Sequence, residues 1–173
     1  MKSKIFIPVM GILILFGNLL VAQQSSFVKS QIVNASADEV WERLRKLDGL
    51  EEIAPHLLNE TWIHDNALPG VGVKRSCTAP GTPKGQASYT ETILEFSDSE
   101  RYYKYTVDQG TPTKNMINSL RVVDLGYHKS MVVWTSVRDG YIDNPQMTEV
   151  EFNEFLTMAG QSIVDGVAKL HNK

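Results

Sequence analysis

The residue whose type and setting could do chemistry is Glu91. It falls in the alternating stretch Gln86–Phe96, on the same side as Ala87, Tyr89 and Ile93, so it is a carboxylate on an otherwise apolar strand face. Desolvated there, it could serve as a general acid or base, or as a hydrogen-bonding anchor. Neutral donors could stand beside it. Tyr89 shares its strand, and Tyr103 and Tyr105 share the more apolar side of Arg101–Asp108 with Val107. Asn118 lies in Asn115–Asp124 on one face with Met116, Leu120 and Val122, and in the last strand, Lys129–Arg138, Val133 and Thr135 share a face with Met131 and Val137. Trp134 then points the other way, toward the outside of the sheet or a partner subunit. Each assignment is set by a period of two, so a one-residue slip would invert it. The competing role for Glu91 is a structural ion pair with Arg75 on the neighbouring strand.

Other chemistry finds little support. His56, His64, His128 and His171 are scattered, none at helical i, i+4 spacing and none near a pair of cysteines, so no metal site and no cofactor are expected. His56, just after Pro55, reads as a surface or strand-end histidine near the start of the β region. There is no Gly-x-Ser-x-Gly elbow, and the glycines of Gly81–Gly85 lie between strands rather than ahead of a helix, so they read as hairpin residues. The single Cys77 excludes an internal disulfide and reads as a small buried hydrophobe. Trp41 falls on the apolar face of a helix and reads as core.

These residues need a scaffold. Phe27–Val33 alternates as a first strand; Ser36 and Glu39 then form a capping box ahead of Val40, Trp41, Leu44 and Leu47 on one helical face, broken at Asp48-Gly49. A short helix over Leu50–Ala54 runs into Pro55. From His56 onward six strands follow, punctuated by Leu68-Pro69-Gly70, by Pro80–Gly85, by Gln109–Lys114 and by the tight turn Leu125–His128. The chain ends in a helix over Thr148–Leu170, capped by Thr148 and Glu151, whose Phe152, Leu156, Ala159, Ile163, Gly166 and Leu170 recur at steps of four and three. That stripe needs a large apolar partner, and the only one available is the sheet. Ala159, Gly160, Ser162 and Gly166 punctuate it with small residues, so helix and sheet are not expected to close flush everywhere. Order and pattern give an α+β domain: an antiparallel meander curled round a long C-terminal helix.

The first 22 residues stand apart. Met1–Lys4 is short and basic, Ile5–Val21 is almost wholly apolar, and Leu20-Val21-Ala22 offers a small-residue cleavage site, the pattern of a secretory signal peptide. The competing reading is an uncleaved membrane anchor, the chain's one expected route to a membrane. Residues 23–173 make a single domain of ordinary size. Loss of Lys2 and Lys4 takes the formal charge from −3 to −5, and a mildly acidic domain without a basic run argues against nucleic acid. The expected address is secreted or periplasmic. Oligomeric state is not readable from these residues.

Several of these stretches together resemble a known family. Asn34–Trp41 followed by Leu47–Leu50, the turn Leu68-Pro69-Gly70-Val71-Gly72, Tyr89-Thr90-Glu91, Asn115 and Val133-Trp134 are similar to the START-like (Bet v 1-like) helix-grip superfamily, in its polyketide cyclase/dehydrase-type branch. The layout is also similar to plant pathogenesis-related class 10 proteins and abscisic acid receptors. The resemblance implies a curved antiparallel sheet of about seven strands gripping the C-terminal helix, with two short helices after strand 1. It implies an apolar cavity between helix and sheet for a hydrophobic or amphipathic small molecule (lipid, polyketide-like or aromatic), with Pro80–Gly85 and Gln109–Lys114 in the places of two closing loops. It supports the inward parity of Tyr89, Glu91 and Met116, and puts Met158, Ser162 and Gly166 at the cavity roof. The enzymatic alternative is a cyclase or dehydratase in which Glu91 moves a proton and the tyrosines hold substrate oxygens.

Overall fold

The computed structural model describes residues 24–172; the expected signal peptide lies outside them. Strand β1 (Ser25–Val33) is followed by α1 (Ala37–Leu44), α2 (Leu50–Ile53), β2 (Glu60–Ile63), a 3₁₀ turn at His64–Asn66, β3 (Lys74–Thr78), β4 (Tyr89–Ser97), β5 (Tyr102–Gln109), β6 (Thr113–Gly126), β7 (Lys129–Tyr141) and α3 (Glu149–His171). The strands form one antiparallel sheet in the order β1-β7-β6-β5-β4-β3-β2. β2 and β3 are short, four and five residues, and the 3₁₀ turn follows β2 directly. β6 and β7 run longer, joined by Tyr127 and His128, both at positive φ (52° and 56°), the two-residue geometry that matches strand twist.

Both capping boxes form. Ser36 and Glu39 satisfy each other's backbone N–H at the start of α1, and Thr148 and Glu151 do the same for α3. α1 buries Ala37, Val40, Trp41 and Leu44, and its Trp41 packs beside Phe96 and Tyr103 with ring centroids 5.6 and 6.2 Å away. The Trp41 indole N–H and the Arg45 guanidinium both donate to Asp98 at 2.8 Å, tying α1 to the β4–β5 hairpin. α3 lies across β1 and β7 and touches α2.

The contact between α3 and β7 corrects the expected face of β7. Ser130, Val132, Trp134, Ser136 and Arg138 are the buried set, while Met131, Val133, Thr135 and Val137 lie on the opposite, more open side. The true inner set carries a charge and two hydroxyls, so hydrophobicity alone favours the wrong one. Arg138 is 1% exposed and is accommodated because α3 supplies its partners: it donates to Glu149 and Asn153, each at 2.7 Å. The buried face of α3 is also turned from the expected stripe, through Phe152, Leu156, Ala159, Gly160, Val164, Val167 and Ala168.

Candidate functional site

The inner faces of the strands and α3 leave an apolar chamber of about 100 Å³. β4 contributes Tyr89 and Glu91, β5 Tyr105 and Val107, β6 Met116 and Asn118, and β7 Trp134; Cys77 comes from β3 and Thr111 from the β5–β6 loop. The roof is Phe155, Leu156, Ala159 and Ile163 of α3, and one side is closed by Leu50 of α2 with Leu57 and Leu58 beyond it. A second space of about 220 Å³ lies against the β5–β6 loop and the Asn144–Met147 segment. Tyr89, Thr111 and Phe155 line both, so the two spaces adjoin as an inner and an outer chamber. Gly110 keeps this loop close: at φ +94° its ideal Cβ would lie 2.0 Å from the Ser88 carbonyl oxygen, so only glycine fits.

Glu91 sits where β4 slips register against β5, at Thr90/Glu91, an irregularity of the kind that re-aims a side chain. Its partner is Arg75: Nε donates to Oε2 at 2.5 Å, and Arg75 is fully buried. Arg75 also donates to the Leu47 carbonyl at 3.1 Å and lies 4.6 Å over the Tyr105 ring and 5.5 Å over that of Tyr103. Burial, the largest single influence, pushes the guanidinium pKa down; the attraction of Glu91, together with smaller contributions from Tyr103, Tyr105 and Cys77, outweighs it and holds the group well above its usual value.

The remaining titratable groups at the chamber stay neutral at ordinary pH. Burial pushes the Cys77 thiol up to about 12, with the Glu91 charge adding to it. Burial likewise raises Tyr89 and, with Glu91, Tyr105. The chamber therefore presents one internally compensated charge pair, neutral hydroxyls and apolar surface. Two of its residues carry a buried polar atom that closes no hydrogen bond: Asn118 Oδ1 and the Trp134 indole nitrogen. Trp134 stands beside the Tyr105 hydroxyl and lowers that group's pKa slightly, without completing a bond to it. Among the described residues no cluster of three or more His, Cys, Asp or Glu is placed to hold a metal ion.

The structure brings together Tyr89, Glu91, Tyr105, Met116 and Asn118 from the expected set. Tyr103 and Leu120 are inward but buried in the core, 0% and 1% exposed, off the chamber wall. Val133 and Thr135 are on the outer side of the sheet, Thr135 hydrogen-bonded to Ser119 at 2.6 Å. The expected roof is also displaced. Met158 is 46% exposed, Ser162 bonds His56 Nε2 at 2.8 Å, and Gly166 is pressed against α2, its ideal Cβ only 1.8 Å from the Ile53 carbonyl oxygen. Trp134 is the residue that strand alternation missed. Its signal was its size, since the largest aromatics dominate cores.

The chain matches the family model described as polyketide cyclase / dehydrase and lipid transport over residues 24–170. No curated protein matches it. Among solved structures it is similar to norcoclaurine synthase from Thalictrum flavum in complex with dopamine and hydroxybenzaldehyde, at TM-score 0.65 and 19% identity, covering 98% of this chain and 96% of that one. A protein from Nitrosospira multiformis superposes at TM-score 0.67 and 18% identity, covering 85% and 96%. Major latex-like protein 151 from Panax ginseng superposes at 0.64 and 15%, covering 86% and 97%. These likenesses establish the helix-grip fold.

Proposed function

We propose that this chain, which belongs to the polyketide cyclase/dehydrase and lipid transport family, binds a hydrophobic or amphipathic small molecule between α3 and the sheet. The observation that carries the reading is the chamber itself, a concave apolar space with a few fixed polar groups, the usual composition of a ligand site. At about 100 Å³ the inner chamber is below the ~300–1,000 Å³ of drug-sized sites. The adjoining space of about 220 Å³ shares Tyr89, Thr111 and Phe155 with it, and a ligand that turns Phe155 aside would draw on both. The norcoclaurine synthase relative holds small aromatic molecules in the same fold, which supports an occupant of that size. Native mass spectrometry of the purified protein is expected to show a co-purifying small molecule. A clean unliganded mass, with no thermal shift across a panel of lipids and aromatics, would overturn the proposal.

A second reading rests on Glu91, whose position in the chamber wall allows it to exchange a proton with an occupant. The close pairing with Arg75 is the structural ion pair these two residues were expected to make, and it weighs against the acid–base role. Glu91→Gln separates them: lost turnover with affinity intact marks a proton-transfer group, whereas collapsed affinity marks an anchor. The proposal includes an extracytoplasmic address, supported by the signal-peptide pattern of Met1–Ala22.

A further inference from the structure

Resting on the binding reading above, the way the chamber wall is held together shows where an occupant would enter. Most of the wall is strand or α3, fixed by ladder or helix bonds; Leu57 and Leu58 come instead from the short segment between α2 and β2. Both ends of that segment are fixed. At one end Ile53 is pressed so close to α3 that a Cβ on Gly166 would not fit. At the other, Asn59 donates its backbone N–H to the Thr78 carbonyl at 2.8 Å and its side-chain amide to the Ala79 carbonyl at 3.2 Å. Between these points the backbone bonds only within the segment, from Leu57 and Leu58 to the Ala54 carbonyl at 2.9 and 3.0 Å.

A single hydrogen bond ties the middle of this segment to α3 among the described residues: His56 Nε2 and Ser162 Oγ lie 2.8 Å apart. Each stands next to a chamber residue, His56 before Leu57 and Ser162 before Ile163, so the bond spans the seam beside the chamber. Successive turns of α3 follow that seam. Gly166 is shut against α2; Ser162 is tied to His56; Met158, its sulfur 3.8 Å from Ser162 Oγ, is 46% exposed. The closure thus loosens from a backbone contact to one hydrogen bond to an exposed side chain. That bond lies at the surface, where water takes over both partners when it parts. We propose that residues 54–58 form a strap over a lateral portal and that the His56–Ser162 bond is its latch: on release, Leu57 and Leu58 swing off the chamber while the anchors at Ile53 and Asn59 hold, and a small apolar molecule passes without any strand or helix unfolding.

Cys77 reports the opening. It lines the chamber, is 2% exposed and lies opposite Thr61 where β2 meets β3, close to the Asn59 anchor, so a small thiol reagent reaches it only when the wall opens. The rate of its reaction with methyl methanethiosulfonate is measured at fixed pH, in urea concentrations below the unfolding transition. Ser162→Ala and His56→Ala should each react about fivefold faster than wild type, the factor that one net hydrogen bond corresponds to. Because both remove the same bond, the double variant should be no faster than either. All these rates should change little with urea, since a local opening exposes little surface. Gln161→Ala, which removes the bond to Asp165 on the same helix and leaves the seam intact, should react at the wild-type rate. The proposal is overturned if the two latch variants react no faster than wild type, if the double variant multiplies the single effects, or if every rate climbs with urea at the slope of global unfolding, which would mean that Cys77 is reached only through the unfolded chain. None of these measurements uses a ligand, so failure of the latch leaves the cavity reading to be decided by native mass spectrometry.

Discussion

Arg75 and Glu91 are stabilised by each other more than by anything else near them. Breaking such a buried pair from one side leaves an uncompensated charge, which costs about 3–5 kcal/mol, whereas replacing both members with apolar residues of similar volume is often close to neutral. Arg75→Met is therefore expected to destabilise by about 3–5 kcal/mol, and Arg75→Met with Glu91→Leu to recover most of that loss, as read from urea denaturation midpoints. A double variant as unstable as the single one would show that the Leu47 carbonyl and the two tyrosine rings, rather than Glu91, hold the guanidinium. Asp98 makes the matching point at the surface. Hydrogen bonds from Arg45 and then Trp41 hold its carboxyl down at about 2, below the ordinary 3.8. A depressed folded-state pKa gives stability that is fully present above the unfolded value and is lost as pH falls through the folded one. The wild-type midpoint should accordingly decline between about pH 4 and pH 2 more steeply than that of Asp98→Asn, and equal slopes would remove Asp98 from the acid response.

At the scale of elements, α3 is positioned by its glycines. The ideal Cβ of Gly160 would lie 2.2 Å from the Trp134 ring, and that of Gly166 1.8 Å from the Ile53 carbonyl oxygen. Alanine is favoured over glycine in helices by about 1 kcal/mol, yet Gly166→Ala should destabilise by about 1–3 kcal/mol, the cost of overpacking against a backbone that cannot turn aside. Ser162→Ala, which removes only the hydrogen bond to His56, should cost about 1 kcal/mol or less; thermal melts of the two variants check the contrast. The sequence made the helix and its capping box plain, because a cap and a 3.6-residue period are local. It left the helix's rotation open, because whether Gly166 meets empty space or α2 depends on where a distant segment lands. The same limit explains β7. Met131, Val133, Thr135 and Val137 are the more apolar alternate, and only the arrival of Glu149 and Asn153 from α3 makes Arg138 tolerable inside. Strands β4 to β6 were legible because their polar alternates, such as Lys104 and Arg121, have no such partner waiting within.

The whole molecule has one thiol, and it is in the chamber wall. Cys77 is 2% exposed and its thiol is pushed up to about 12, so at neutral pH almost no reactive thiolate exists in the folded state. Labelling with a disulfide reagent should be slow in native buffer, accelerate with urea in step with unfolding, and slow further when a ligand occupies the chamber. Labelling of native protein at the rate of a free thiol would contradict a closed core. The order of the strands has a consequence of another kind. Among the described residues β1 comes first and has one sheet neighbour, β7, which follows every other strand in the chain. β1 therefore remains unpaired through the making of more than ninety intervening residues, and α3, which covers the joint, comes later still. Contacts this far apart in sequence form slowly. The joint between β1 and β7 thus closes last, onto a meander whose other strands already have their neighbours, and β1 meets a sheet rather than nucleating one.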